Sequence, residues 1–322
     1  KRSIIMMGPP GIGKSDICKQ IAEEKKIGFI DIRLSLKNPV DIEGMPFPNK
    51  RTKRTDWYYP SFYPDIERDG KEGIILFDEF TSAKPDVLRA IYAIIYDRWF
   101  IPDGWIIICA TNRIEDNGGT YKMPRPLISR FNQHLKIEPD FQVWKEYALQ
   151  KRINENILAF LSRQPEYLYA ISENEREDEG ECNPRTWFYV NELRNVFTDD
   201  DEFINATGDC IGYGIASEFG EFLKVKELLP DYNNILNGKE KYQLDNNRTD
   251  ILWSVVMGLL SRIVKDTKMN RINNSISYVN NMPAEFSYIF VKDLMNQCSN
   301  IVLKSPEYKK FINKNKTVLK DM

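Results

Sequence analysis

Eight residues near the start of the chain, Gly8-Pro9-Pro10-Gly11-Ile12-Gly13-Lys14-Ser15, constrain the fold more than any other stretch. They fit G-x-x-x-x-G-K-[ST] and lie between an apolar run at residues 3–7 and an amphipathic stretch at residues 16–24. That context predicts a strand, a glycine-rich loop and a helix, in that order. Glycines let the backbone wrap closely, so that several N–H groups point inward, and the following helix turns the positive end of its dipole to the same place. Such a loop suits the phosphates of a nucleotide. The candidate cofactor-binding residues are therefore Gly8, Pro9, Pro10, Gly11, Ile12, Gly13, Lys14, Ser15 and Asp16. Lys14 is placed to reach the β- and γ-phosphates, and the Ser15 hydroxyl to ligate Mg²⁺. A glycine-proline turn with an exposed lysine is the plainer alternative, and the flanking patterns argue against it.

Further β-rich runs at residues 29–34, 74–77 and 105–110 alternate with helical patterns. At residues 85–96, Val87, Ile91, Ile94 and Ile95 share one face, with Thr81 or Ser82 placed to cap the start. Runs that are apolar almost throughout, alternating with helices, predict an α/β fold with a parallel sheet covered on both faces. Beyond residue 140 helical periodicity takes over. Two acidic stretches, 173–181 and 199–202, read as solvated loops.

With 322 residues, 42% of them apolar, the chain suits two or three packed units. A net charge of −2 gives no global attraction to nucleic acid or acidic membranes, so any basic recognition is local. The five cysteines are scattered and His134 is the one histidine, which argues against a zinc site and for reduced thiols. No apolar run reaches membrane-span length and no signal peptide precedes the first strand, so a cytoplasmic location is expected. The chain opens on Lys1 with the first strand already running, which predicts a segment upstream.

The apolar run at 74–77 ends in Asp78-Glu79. Both carboxylates at a strand end can sit at the top of the sheet, Asp78 to hold Mg²⁺ and Glu79 to polarise an attacking water as general base. Asp-Glu at that place can also simply cap the next helix. Beside the glycine-rich loop, the pair points to ATP hydrolysis. Asn112, after the run at 105–110, could orient the water beside the γ-phosphate, or could be an ordinary turn former.

Taken with Pro126-Leu127-Ile128-Ser129-Arg130-Phe131 and Asn183-Pro184-Arg185-Thr186-Trp187, this order of motifs resembles the MoxR-like, dynein-related branch of the AAA+ ATPases, of phage and bacterial type. Stretches at 40–46, 97–98, 101–105, 123–124 and 282–286 agree with it. The resemblance implies a P-loop AAA+ α/β core over 1–138 with an insertion at about 37–70, a helical lid over 139–198 and a helical C-terminal region over 199–322. It also implies roles residue by residue: Lys14 and Ser15 as Walker A, Asp78 and Glu79 as Walker B, and Asn112 as sensor 1. Arg130 matches the arginine finger that enters a neighbouring subunit's site, with Arg125 close enough to compete, and Arg185 matches sensor 2. The catalytic set is then Glu79, Asn112, Arg130 and Arg185, with Ser15 and Asp78 as Mg²⁺ ligands. Where family members carry a longer hairpin before sensor 1, residues 99–105 leave room only for a tight turn at Asp103-Gly104.

The implied activity is ATP-driven remodelling of a partner protein by a ring, a hexamer, through a separate von Willebrand A-type adaptor. The insertion holds Lys50, Arg51, Lys53 and Arg54 followed by Trp57, Tyr58 and Tyr59. It reads either as a surface that meets the pore or a partner, or as a solvated loop with a buried aromatic foot. Two other functions remain open: a nucleic-acid translocase or loader, for which the basic cluster is the hint, and an ATP-gated assembly protein with little turnover.

Overall fold

The computed structural model describes residues 3–113, 121, 123–170 and 180–315. The chain divides into two compact units, Lys1–Glu138 and Pro139–Met322. In the first, the chain runs β1 (Ser3–Met7), α1 (Lys14–Lys25), β2 (Gly28–Arg33), α2 (Pro39–Glu43), β3 (Met45–Asn49), β4 (Arg54–Tyr58), α3 (Ile66–Asp69), β5 (Gly73–Asp78), α4 (Pro85–Asp97), β6 (Trp105–Thr111), α5 (Arg125–Ile128) and β7 (Gln133–Lys136). Five strands form one sheet in the order β2-β5-β6-β1-β7, each neighbouring pair parallel.

Alternation along the strands builds a core on each face. Ile5, Ile75, Phe77, Ile107 and Cys109 pack with Val87, Ile91 and Ile94 of α4. Met6, Ile74, Leu76, Ile108 and Ala110 form the opposite cluster with Cys18 and Ala22 of α1. Full burial contributes about 1.5–3 kcal/mol for each large aliphatic side chain, so both faces matter to stability. The expected parallel α/β sheet is present. Edge strand β7, exposed along its length, adds a polar strand that the apolar runs did not indicate.

At the N-terminal end of the sheet, the register sets Gly28 beside Gly73 and Gly73 beside Trp105. A Cβ on either glycine would come within 2.6 Å of the Trp105 ring. The fully buried indole therefore needs both glycines for space, and its Nε1 donates to the Gly70 carbonyl at 3.1 Å. Helix α4 starts differently from expectation. Neither Thr81 nor Ser82 caps it; both lie in a 3-10 turn, Phe80–Ser82, and the N-cap is Lys84. Pro85 opens the helix instead, its fixed φ suited to the first position. At the other end Arg98 takes a left-handed conformation, φ 58°, and its Nη2 donates to the carbonyls of Pro102 and Trp105. The turn into β6 closes with Trp105 N donating to the Pro102 carbonyl at 3.0 Å.

The insertion is an antiparallel hairpin, β3 with β4, rather than a loop. Its tip is the basic stretch at residues 50–53, held by Asn49 Oδ1, which accepts from the N–H groups of Arg51 and Thr52. Met45, Phe47, Trp57, Tyr58 and Tyr59 are all exposed. Trp57, Tyr58 and Tyr59 therefore form no buried foot; the buried aromatic here is Tyr63, outside the basic-aromatic stretch, donating to the Ile42 carbonyl at 3.0 Å.

The second unit is helical: α6 (Phe141–Gln150), α7 (Glu155–Arg163), α8 (Pro184–Leu193), α9 (Asp200–Ile211), α10 (Tyr213–Leu223), α11 (Tyr232–Leu236), α12 (Thr249–Lys265), α13 (Met269–Val279), α14 (Ala284–Val302) and α15 (Pro306–Lys314). One apolar cluster runs through it from Phe141 to Phe311. Helix α12 is apolar on almost every side and sits in that cluster, as such a helix must. Phe160, Trp187 and Phe219 meet at ring separations of 5.1–5.9 Å, joining α7, α8 and α10. The boundary expected near residue 198 lies between α8 and α9 within this core. The acidic stretch 199–202 is not a loop: Asp199 caps α9, accepting from the N–H groups of Asp201 and Glu202, and the acids fill its first turn. Negative charge there complements the helix dipole. The other acidic stretch lies almost wholly outside the described residues. No helix among them is long and apolar enough to cross a membrane.

Lys145 of α6 and Asp293 of α14 form an ion pair at 2.7 Å, both side chains almost fully buried. Burial pushes the Asp293 carboxyl above its usual range, against the pull of the Lys145 ammonium. Removing one partner strands a charge, whereas replacing both by apolar groups does not. Lys145→Ala should therefore destabilise the second unit by about 3–5 kcal/mol, and Lys145→Met with Asp293→Leu should be close to neutral. Urea unfolding followed by tryptophan fluorescence checks both values.

Candidate functional site

The C-terminal ends of β1, β5 and β6 lie side by side, and the loop that leaves each carries one part of the site. After β1, residues 8–13 turn into α1 with Gly11 and Gly13 at φ 73° and 87°. A side chain at Gly8 would collide with the Ile137 carbonyl, 2.3 Å from the position of its Cβ. Gly13 is the N-cap of the twelve-residue α1 and brings no capping side chain. The first N–H groups of that helix are therefore open to an anion's oxygens. Asp16 is exposed in this first turn.

Lys14 is buried, and its Nζ donates to the carbonyls of Gly8 and Pro9 and to Asn112 Oδ1, each at 2.8 Å. The last bond ties the loop after β1 to the loop after β6. A backbone bond repeats the tie, Gly8 N donating to the Thr111 carbonyl at 3.3 Å. Ser15 Oγ donates to Asp78 Oδ2 at 2.5 Å, which joins α1 to the end of β5. Asp78 Oδ1 accepts from the N–H of Glu79, so its other oxygen faces Ser15. Glu79 is exposed and left-handed, φ 54°, a conformation that costs free energy in a residue with a side chain. That turn breaks the strand's alternation, so the two carboxylates can share one edge.

Ser15 and Asp78 are hard oxygen donors at one point. Among the described residues no group of three or more His, Cys, Asp or Glu side chains is arranged to hold a metal. A hydroxyl and one carboxylate suit Mg²⁺, which keeps several waters and takes its remaining ligands from phosphate. Acidic groups crowd this edge. Burial, with Asp78 beside it, pushes the Asp31 carboxyl of β2 above its ordinary range. Burial and the same carboxylates push the Cys18 thiol up to about 12, which keeps it protonated and inert.

Arg130 lies beyond α5 in the same unit, its guanidinium 3.8 Å from the centre of the Tyr96 ring. Among the described residues no hydrogen bond joins it to Lys14, Ser15 or Asp78. Arg125 is exposed at the start of α5. Arg185 belongs to the second unit, exposed in the first turn of α8, where Asn183 Oδ1 accepts from the N–H groups of Arg185 and Thr186. Lys14, Ser15, Asp78 and Asn112 are thus linked directly, with Glu79 adjacent.

Two polar contacts escaped sequence reasoning. Ser35 donates from its hydroxyl to Glu79 Oε2, and the hydroxyls of Thr81 and Thr111 bond to each other beneath Asn112. The signal available was position: Ser35 follows β2 as Glu79 follows β5, and those strands are neighbours.

Residues 4–139 match the family model "ATPase family associated with various cellular activities (AAA)". Solved structures similar at low identity include the following two. The Holliday junction branch migration motor RuvB of Thermotoga maritima is 18% identical, with 84% of this chain and 79% of that chain covered and a TM-score of 0.38. The FIGL-1 AAA domain in complex with ADP is 16% identical, with 60% and 54% covered and a TM-score of 0.31. No curated protein matches the chain.

Lys14 supplies the one ammonium at the centre of this network, so Lys14→Ala should weaken ATP binding by about 10- to 100-fold, the value of a charge-assisted hydrogen bond or two. Titration with a fluorescent ATP analogue checks this, and Cys18→Ala in parallel should bind like the parent.

Proposed function

We propose that the chain binds ATP with Mg²⁺ and hydrolyses it, working in the cytoplasm as an oligomeric ring, a hexamer of MoxR-like type, that remodels or assembles a partner protein. The observation that supports hydrolysis most directly is the hydrogen-bonded convergence of Lys14, Ser15, Asp78 and Asn112, with Glu79 next to it. In this reading the loop amides and Lys14 hold the β- and γ-phosphates, and Ser15 and Asp78 hold Mg²⁺. Mg²⁺ held there would supply charge neutralisation at the phosphate oxygens. Glu79 takes up the proton of the attacking water as general base, and Asn112 orients that water. Arg130 reaches the site of the neighbouring copy, and Arg185 serves as sensor 2. Glu79 would have to leave the Ser35 hydroxyl to act on water.

The partner surface in this reading is the hairpin. Its exposed Phe47, Trp57 and Tyr58 offer area to bury, and Lys50, Arg51, Lys53 and Arg54 at its tip steer an acidic face. A separate von Willebrand A-type adaptor fits that role. The same basic tip beside exposed aromatic rings also favours a second reading, a translocase that follows a nucleic-acid backbone.

Glu79→Gln should retain ATP binding and lose turnover. An arginine supplied in trans is worth roughly 10³–10⁵ in rate. Turnover per subunit should therefore rise with protein concentration, and Arg130→Ala should suppress it in assembled rings. Steady-state phosphate release across a dilution series tests the pair, and flat specific activity through ring dissociation would remove the trans role.

Deleting residues 49–56 should leave basal hydrolysis intact and weaken capture of a protein partner by the Glu79→Gln form in ATP, read by mass spectrometry. Stimulation by DNA or RNA with a salt slope of roughly −3 to −4, the value for four basic contacts, would promote the translocase reading instead.

A further inference from the structure

Arg130 is anchored at its base and unpaired at its tip. Leu127 and Phe131 on either side of it are buried, and Phe131 meets Phe80 edge-on at 5.9 Å, which fixes the backbone of this turn. The guanidinium carbon lies 3.8 Å from the centre of the Tyr96 ring. Its Nε and Nη1 are buried and have no hydrogen-bond partner among the described residues. Unpaired buried donors cost free energy, so Arg130 is held here short of its full hydrogen-bonding capacity. Tyr96 projects from the last turn of α4 and is 57% exposed, which puts the pair at the surface.

The choice of an aromatic platform has a chemical consequence. A carboxylate beside Arg130 would hold the guanidinium, but would also take up its N–H groups and cancel its charge. A ring face attracts the cation through its quadrupole while leaving the in-plane N–H groups unused and the charge intact. We infer that Tyr96 is a positioning residue for Arg130: its ring holds the guanidinium flat and unpaired, ready for a phosphate oxygen presented by a neighbouring copy of this chain. The inference rests on the reading of Arg130 as acting in trans.

Mixed rings of the full chain separate the two. Arg130→Ala subunits keep their own hydrolytic residues but lack the arginine they would donate. Glu79→Gln subunits cannot turn over their own ATP but carry an intact Arg130. Mixing them should restore turnover in the Arg130→Ala subunits, with rates normalised to assembled ring. Glu79→Gln donors that also carry Tyr96→Ala should restore about 3- to 30-fold less, the span expected for loss of a cation–π contact. Tyr96→Leu donors, with side-chain bulk but no π face, should be equally poor, and Tyr96→Phe donors should restore fully. Restoration by Tyr96→Ala or Tyr96→Leu donors equal to that by donors with Tyr96 intact would overturn the positioning role and leave the trans reading standing. Equal restoration by donors carrying both Glu79→Gln and Arg130→Ala would remove the trans reading itself.

Discussion

The parallel alignment of β5, β6 and β1 is the constraint on which the site depends. Met7 lies beside Thr111 and Phe77 beside Cys109, so three strands end at one edge of the sheet. The loops that leave them deliver Lys14 and Ser15, Asp78 and Glu79, and Asn112 to a shared space. None of these residues is near another group in sequence. A one-residue slip of any strand would exchange its side chains between two differently packed cores, so close packing on both faces specifies the register. The hydrogen bonds from Lys14 to Asn112 and from Ser15 to Asp78 are its outcome.

Much of this was legible in the sequence because chemistry and burial pointed the same way. Strands buried on both faces read as continuous apolar runs, and the loop after β1 carries residue types that only a narrow range of structures can use. What was missed lacked one of those signals. Strand β7 sits at the sheet edge with exposed side chains, so hydropathy is silent about it. The hairpin hid behind Pro46 and Pro48, which normally argue against a strand and are tolerated here because the ribbon has only two strands. Thr81 looked like a local cap, but its hydroxyl is bonded to Thr111, thirty residues away. The stacking of Arg130 on Tyr96 likewise joins two elements that no local pattern connects.

The helical unit was readable as helical and little more. Its organisation rests on aromatic packing among Phe160, Trp187 and Phe219 and on one buried ion pair, both of them long-range facts. Acidic composition misled at residues 199–202, since the same charges that suit a solvated loop also suit the first turn of a helix.

One feature of the sheet's far end reaches the site without touching it. Trp105 begins β6, wedged over the bare backbones of Gly28 and Gly73, while Thr111 ends the same strand and Asn112 follows it. At about 3.3 Å per residue, the strand is a strut roughly 20 Å long with its foot clamped by an indole and its head beside the hydrogen bond from Lys14 to Asn112. Strands in a packed sheet do not bend independently of their neighbours, so displacement at the foot becomes tilt at the head. A methyl group added at either glycine would act there as a lever. The strand that runs up to Asn112 thus starts from a place that only two bare backbones leave open.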